Sequence, residues 1–150
     1  MSLSDWSRNG WLTEHTTSPQ EIQDLLGVAD RDLKDCAAKA LSDDWRLAIA
    51  YNAALQCATA ALAASGYRAS RDAHHFRIIQ SLSLTLKSDV KLVGQLDAFR
   101  KKRNISDYER AGSISTAEAQ EMTSLARELR QQLIDWLRQN HPRLVPKSPK

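Results

Sequence analysis

The sequence predicts an all-α fold, an antiparallel up-down bundle of about five helices. Three observations carry that expectation. Among 150 residues only five are Gly and four Pro, while 42% are apolar and 26% charged, a globular balance rich in helix formers. Two capping signatures, Ser18-Pro19-Gln20-Glu21 and Ser115-Thr116-Ala117-Glu118, each precede apolar residues at helical spacing. No alternating strand pattern interrupts the chain.

Residues 1–17 read as an N-terminal arm without helical period. Trp6 and Trp11 lie close together in it, and their apolar area ties the arm to the body or to a second subunit. The first helix is expected over 18–41, with Pro19 in the first turn and Ile22, Leu25, Leu26, Ala29, Leu33, Ala37 and Leu41 on one face. Ser42-Asp43-Asp44 restarts the chain with a cap and two carboxylates suited to the helix dipole. The helix over 43–65 is apolar on nearly every side, as a central helix must be, and Gly66 stops it. A third helix is expected over 71–86, carrying Phe76, Ile79, Leu82 and Leu86, and a fourth over 88–106, carrying Val90, Val93, Leu96 and Phe99. The last, over 115–140, shows a narrow stripe of Met122, Leu125, Leu129, Leu133 and Trp136. Pro142 ends the bundle, and 142–150 reads as a disordered tail. Short connections make the neighbours mostly antiparallel within one domain spanning 18–141.

Composition and spacing exclude several classes of chemistry. His15, His74, His75 and His141 are not grouped with Cys or carboxylates at metal-ligand spacing, so no metal and no cofactor is expected. The chain has no Gly-rich phosphate loop, no G-x-S-x-G elbow and no paired Glu-x-x-His helices. No run of eighteen apolar residues or basic-then-apolar leader is present, so a cytoplasmic chain without a membrane span is expected, with Cys36 and Cys57 as reduced thiols. A formal net charge of +3 says little by itself about nucleic acid.

What remains is the polar stretch from Arg100 to Arg110. Arg100, Lys101, Lys102 and Arg103 are consecutive, and successive helical residues diverge by about 100°, so the four cannot face one ligand. Asp97 stands three residues before Arg100 and Asp107 four after Arg103, so at least one arginine can have an internal carboxylate partner at helical spacing. A run of cations at a helix end also suits the dipole without any ligand. The mixture of Arg103, Asn104, Asp107 and Tyr108, however, places a planar cation, an amide, a carboxylate and a phenol within two turns. Such a set binds a phosphodiester and a base, or pins two subunits together.

The order of elements resembles the HEPN domain, an all-α bundle of toxin–antitoxin and defence systems. The similarity runs from Leu33 and Asp35 through Tyr51-Asn52-Ala53-Ala54-Leu55-Gln56 and Ala61-Leu62 to Gly66. It continues with His74-His75, the Arg100–Tyr108 stretch and the long closing helix, over roughly residues 20–140. The resemblance implies a two-fold dimer. In catalytic members it also implies metal-independent RNA cleavage by an arginine followed, after four to six residues, by a histidine. Arg103 matches the arginine and Asn104 the polar residue beside it, but Tyr108 stands where the histidine is required. Cleavage through a ribose 2′-OH needs a group that exchanges a proton near neutral pH. A phenol of pKa about 10 is ionised in roughly one molecule per thousand at pH 7. Binding is therefore favoured over cutting.

The expected function is a homodimeric module that binds RNA, a nucleotide or a protein partner through Arg100, Arg103, Asn104, Asp107 and Tyr108. Arg103 and Tyr108 are the candidate catalytic pair of an alternative, a metal-independent endoribonuclease toxin. A further alternative is a structural subunit that docks onto a minimal nucleotidyltransferase. Outside this stretch, Asn52 and Gln56 lie one turn apart on the apolar second helix and read chiefly as a buried amide pair bonding neighbouring helices. One of His74 and His75 can face the cleft. Trp136 continues an apolar stripe, and Arg127, Arg130 and Arg138 read as the wet face of the last helix.

Overall fold

Hydroxyl and carboxylate caps decide where this chain becomes helical. The computed structural model describes residues 1–105 and 114–145. Within them α1 spans Leu3–Arg8, α2 Pro19–Asp35, α3 Asp43–Ala64, α4 His74–Ser81, α5 Val90–Ile105 and α6 Thr116–Asn140. Ser2, Ser18, Ser42 and Ser115 each accept a hydrogen bond from the amide three residues on, opening α1, α2, α3 and α6. Asp89 Oδ1 does the same for Leu92 N at 2.7 Å at the start of α5. The result is the expected all-α bundle. Alanine-rich α3 lies at its centre, flanked most extensively by α2 and α6 and also touched by α4 and α5. By length and composition α3 would suffice to cross a membrane, but 72% of its most apolar window is buried inside the bundle.

Several boundaries differ from expectation. The arm is not irregular: a capping box of Ser2 and Asp5 makes α1 helical, and β1 (Leu12–Glu14) pairs antiparallel with β2 (Tyr67–Ala69). That ribbon corrects the strand-free reading. Three residues are too few for an alternating pattern to show. Gly66, at φ +97°, ends α3 as expected and turns the chain directly into β2, and its carbonyl accepts from His15 N at 2.8 Å. Trp6 is buried against the body of its own chain, edge-on to Trp11 with ring centroids 5.6 Å apart.

Helix α2 stops at Asp35 rather than Leu41. Arg46 of α3 donates to the carbonyls of Cys36, of Ala38 (2.9 Å) and of Leu41 (3.2 Å), satisfying acceptors that an extended helix would have used itself. Only half of the first capping box forms, because the Glu21 carboxylate turns to Thr17 and His15. Helix α4 is eight residues long, well short of 71–86. Ala73 enters it in the left-handed region at φ 51°. Ser81 donates to Ile78 O at 2.6 Å and Ser83 to Gln80 O at 2.9 Å, hydroxyls that compete for the carbonyls a longer helix needs. On α5, Val90 is 89% exposed and takes no part in the core, unlike Val93, Leu96 and Phe99. Pro142–Leu144 forms a 3-10 turn within the expected tail.

Candidate functional site

The candidate site lies where α4 and α5 cross the middle of α3. Helical geometry splits the basic run in two. Lys101 and Lys102 are exposed, reaching Asp97 at 3.5 Å and Glu118 of α6, respectively. Arg100 and Arg103, one turn apart, turn inward and are half-buried. Arg100 donates through Nε to Asp97 Oδ1 at 2.8 Å, and its guanidinium lies 5.4 Å from the ring centre of Phe76. The Arg103 guanidinium sits 5.5 Å from the ring centre of Tyr51. A basic end of α5 therefore does two jobs: its lysines face water and α6, and its arginines face α3 and α4.

Tyr51 is the hinge of this arrangement. It is 1% exposed, and its hydroxyl has no hydrogen-bond partner among the described residues. Burial pushes the phenol up to about 12, with Arg103 and Arg100 working against that rise, so the group is a proton donor at any physiological pH. The His75 ring stands 6.2 Å from the Tyr51 ring, centre to centre. Burial, then the charges of Arg103, His74 and Arg100, hold the His75 imidazolium below its ordinary range, so the neutral ring dominates at pH 7. Together the three elements present a phenol O–H, two guanidiniums and a neutral imidazole, with Asp97 as the carboxylate that orients Arg100. Such donors suit an anion that brings its own lone pairs.

Of the residues expected in the site, Arg100 and Arg103 are brought together, and His75 rather than His74 joins them. The Asn104 side chain, Asp107 and Tyr108 lie outside the described residues. Tyr51 and Phe76 were not singled out as site residues. The available signal for Tyr51 was a bulky, polar-tipped ring in a stretch built largely of alanine and leucine. Asn52 and Gln56 turn to α2 and to each other: Asn52 Nδ2 donates to Asp32 Oδ2 at 2.7 Å, and Gln56 Nε2 to Asn52 Oδ1 at 3.3 Å. This is the expected amide pair between helices, completed by Arg31 on buried Asp32 at 3.0 Å. Arg130, assigned to the wet face of α6, instead pairs with Asp30 of α2.

Among the described residues no three His, Cys, Asp or Glu side chains converge as a metal site would require. No family model, curated protein or solved structure matches the chain. The site's chemistry therefore rests on its own geometry.

Proposed function

We propose that the chain is a HEPN-like module that binds the phosphate of an RNA strand or nucleotide where α3, α4 and α5 meet. One observation carries this reading: the Arg103 guanidinium and the His75 ring flank the ring of a buried phenol whose hydroxyl is unpartnered among the described residues, with Arg100 one turn from Arg103. A phosphate oxygen is an acceptor for that hydroxyl, and a guanidinium fork matches two further oxygens. The order of elements and the Arg103-Asn104 stretch support the HEPN assignment. With it come a two-fold dimer and a toxin–antitoxin or defence setting.

The binding test compares Arg103→Lys with Arg103→Ala. Both keep or lose charge differently, but neither retains a planar fork. Fluorescence anisotropy with labelled single-stranded RNA and with a labelled mononucleotide should show both variants weakened by about tenfold or more. Their Tm should stay within a few degrees of the parent. Parent-like binding by Arg103→Lys would sink the proposal.

The neutral imidazole of His75 favours a second reading, a metal-independent ribonuclease. In it His75 takes the ribose 2′-OH proton, a task for which a phenol at position 108 is unsuited. His75→Ala would then abolish RNA cleavage while retaining RNA binding. A parent protein that binds RNA and leaves it uncut over hours at pH 7 retires this reading and leaves the first intact.

A further inference from the structure

A cavity opens beside the start of α4, where the β1–β2 ribbon leaves a gap against α2 and α3. Its volume is about 550 Å3, within the range of small-molecule sites. Leu25 and Tyr67 give it apolar walls, Arg68, Arg71 and Glu21 supply its charge, and His74 adds a ring nitrogen. These groups are not equivalent. Arg68 donates through Nε to Thr13 Oγ1 at 3.3 Å, which fixes the side chain and leaves its terminal nitrogens for another acceptor. Arg71 is exposed and has no partner among the described residues. His74 Nδ1 takes the Ser70 carbonyl at 3.2 Å, so Nε2 is the nitrogen left for a ligand.

Glu21 narrows the choice of ligand. Thr17 donates to it at 2.6 Å and His15 Nε2 contacts it at 2.8 Å, and with Arg68 nearby these hold its carboxyl below the usual range. It is therefore an ionised acceptor in a cavity that also holds the cations Arg68 and Arg71. A bare anion gains from the arginines and is repelled by Glu21. An apolar anion leaves Glu21 without a new donor. A ligand that satisfies every wall carries an anionic head for the arginines, a flat apolar body for Tyr67 and Leu25, and an O–H or N–H donor for Glu21.

We propose that this cavity is a second ligand site and that it takes a nucleoside phosphate, either free or as the phosphorylated end of an RNA strand. The site goes beyond the phosphate site at Arg100 and Arg103 and does not depend on it. The two come near each other at the adjacent rings of His74 and His75, whose centres are 6.0 Å apart.

Isothermal titration of the full chain with AMP, adenosine and inorganic phosphate tests the proposal. AMP should bind at least about tenfold more tightly than either fragment, because only AMP engages both the arginines and the apolar wall. Replacing Arg68 and Arg71 together with Gln should weaken AMP by about tenfold to a hundredfold. Both side chains are exposed, so the Tm should be nearly unchanged; Arg71→Gln alone provides a milder variant should the double change disturb β2. A 5′-phosphorylated RNA oligonucleotide distinguishes the sources. A strand end binds more tightly than AMP and loses that gain in Arg103→Lys, whereas a free-nucleotide site treats the oligonucleotide no better than AMP. AMP binding that survives the arginine changes and vanishes in Arg103→Lys belongs wholly to the first site and overturns this proposal. So does the absence of saturable AMP binding at low salt. Loss of RNA binding to the parent, with AMP still held by Arg68 and Arg71, would instead refute the first site alone.

Discussion

Tyr51→Phe separates what the fold needs from what a ligand needs. The phenol is buried at 1% exposure and its oxygen has no partner among the described residues. Leaving a buried hydroxyl unsatisfied costs about 1–3 kcal/mol. Phenylalanine keeps the ring beneath Arg103, 5.5 Å from the guanidinium, and beside His75, and removes only the oxygen. The variant should therefore be as stable as the parent or more stable, by up to about 1–3 kcal/mol. For a chain of this size each kcal/mol corresponds to about 2–4 °C in Tm. Bound phosphate reverses the sign. The hydroxyl stays protonated because burial raises its pKa to about 12, and as a donor to a charged oxygen it contributes about 1.5–3 kcal/mol. Affinity for RNA or nucleotide should fall by about tenfold to a hundredfold. Urea unfolding and anisotropy on the same preparations read both quantities. Most substitutions destabilise, so a variant that gains stability while losing affinity is diagnostic. A loss of more than about 1 kcal/mol with unchanged affinity would show that the hydroxyl serves the fold, and the reasoning would fail.

Three further outcomes follow from the same structure. Asn52→Ala removes the donor to buried Asp32 at 2.7 Å and should cost about 1.5–3 kcal/mol; a double-mutant cycle with Asp32→Ala should show most of that loss as coupling, and an uncoupled pair would refute the network. His75 is held below 6.5 in the folded state, so its unfolded form takes up the proton first. Its contribution is therefore present above about pH 6.5 and lost as pH falls through the lowered native value, while phosphate affinity rises over the same window. Burial first, then the charges of Arg103, His74 and Arg100, set that shift; urea midpoints whose pH slope is identical in His75→Gln would contradict the assignment. Gly66→Ala meets no neighbour closer than 4.0 Å but forces a side chain to φ +97°, so it should cost about 1–2 kcal/mol by thermal melts, and a neutral result would exclude strain as the reason for this glycine.

The fold was legible wherever one local rule acted alone. Ser18, Ser42 and Ser115 start helices because each hydroxyl meets an amide three residues on, an event contained within one turn. Gly66 stops α3 for an equally local reason. The failures arose where distant groups decide. Nothing in Ala37–Leu41 forbids a helix. It is Arg46, several residues later, that takes the carbonyls and ends α2 at Asp35. The β1–β2 ribbon joins segments more than fifty residues apart, as Thr13 facing Arg68 illustrates, and each is too short to display a period. Of the two covers expected for the arm's tryptophans, the body of the same chain supplies one, with Arg77 of α4 lying 3.8 Å above the Trp11 ring.

The candidate site divides along the same line. Arg100 and Arg103 share a face by spacing alone, and Asp97 is placed to orient one of them. Neither His75 nor Tyr51 can be paired with them from spacing, because α4 and α3 bring those rings in from remote positions. Beside Tyr51 the polar contacts are made: Asp32, Asn52 and Gln56 form a connected chain between α2 and α3. The Tyr51 hydroxyl breaks that consistency within one residue of Asn52 on the same helix. Phenylalanine would pack as well, so the oxygen is hard to explain by stability, and departures of this kind gather where function overrides local economy. Two guanidiniums drawn inward beside it give the departure a direction. Their charge favours an anion there, and the proposed phosphate would be an acceptor for the orphaned donor.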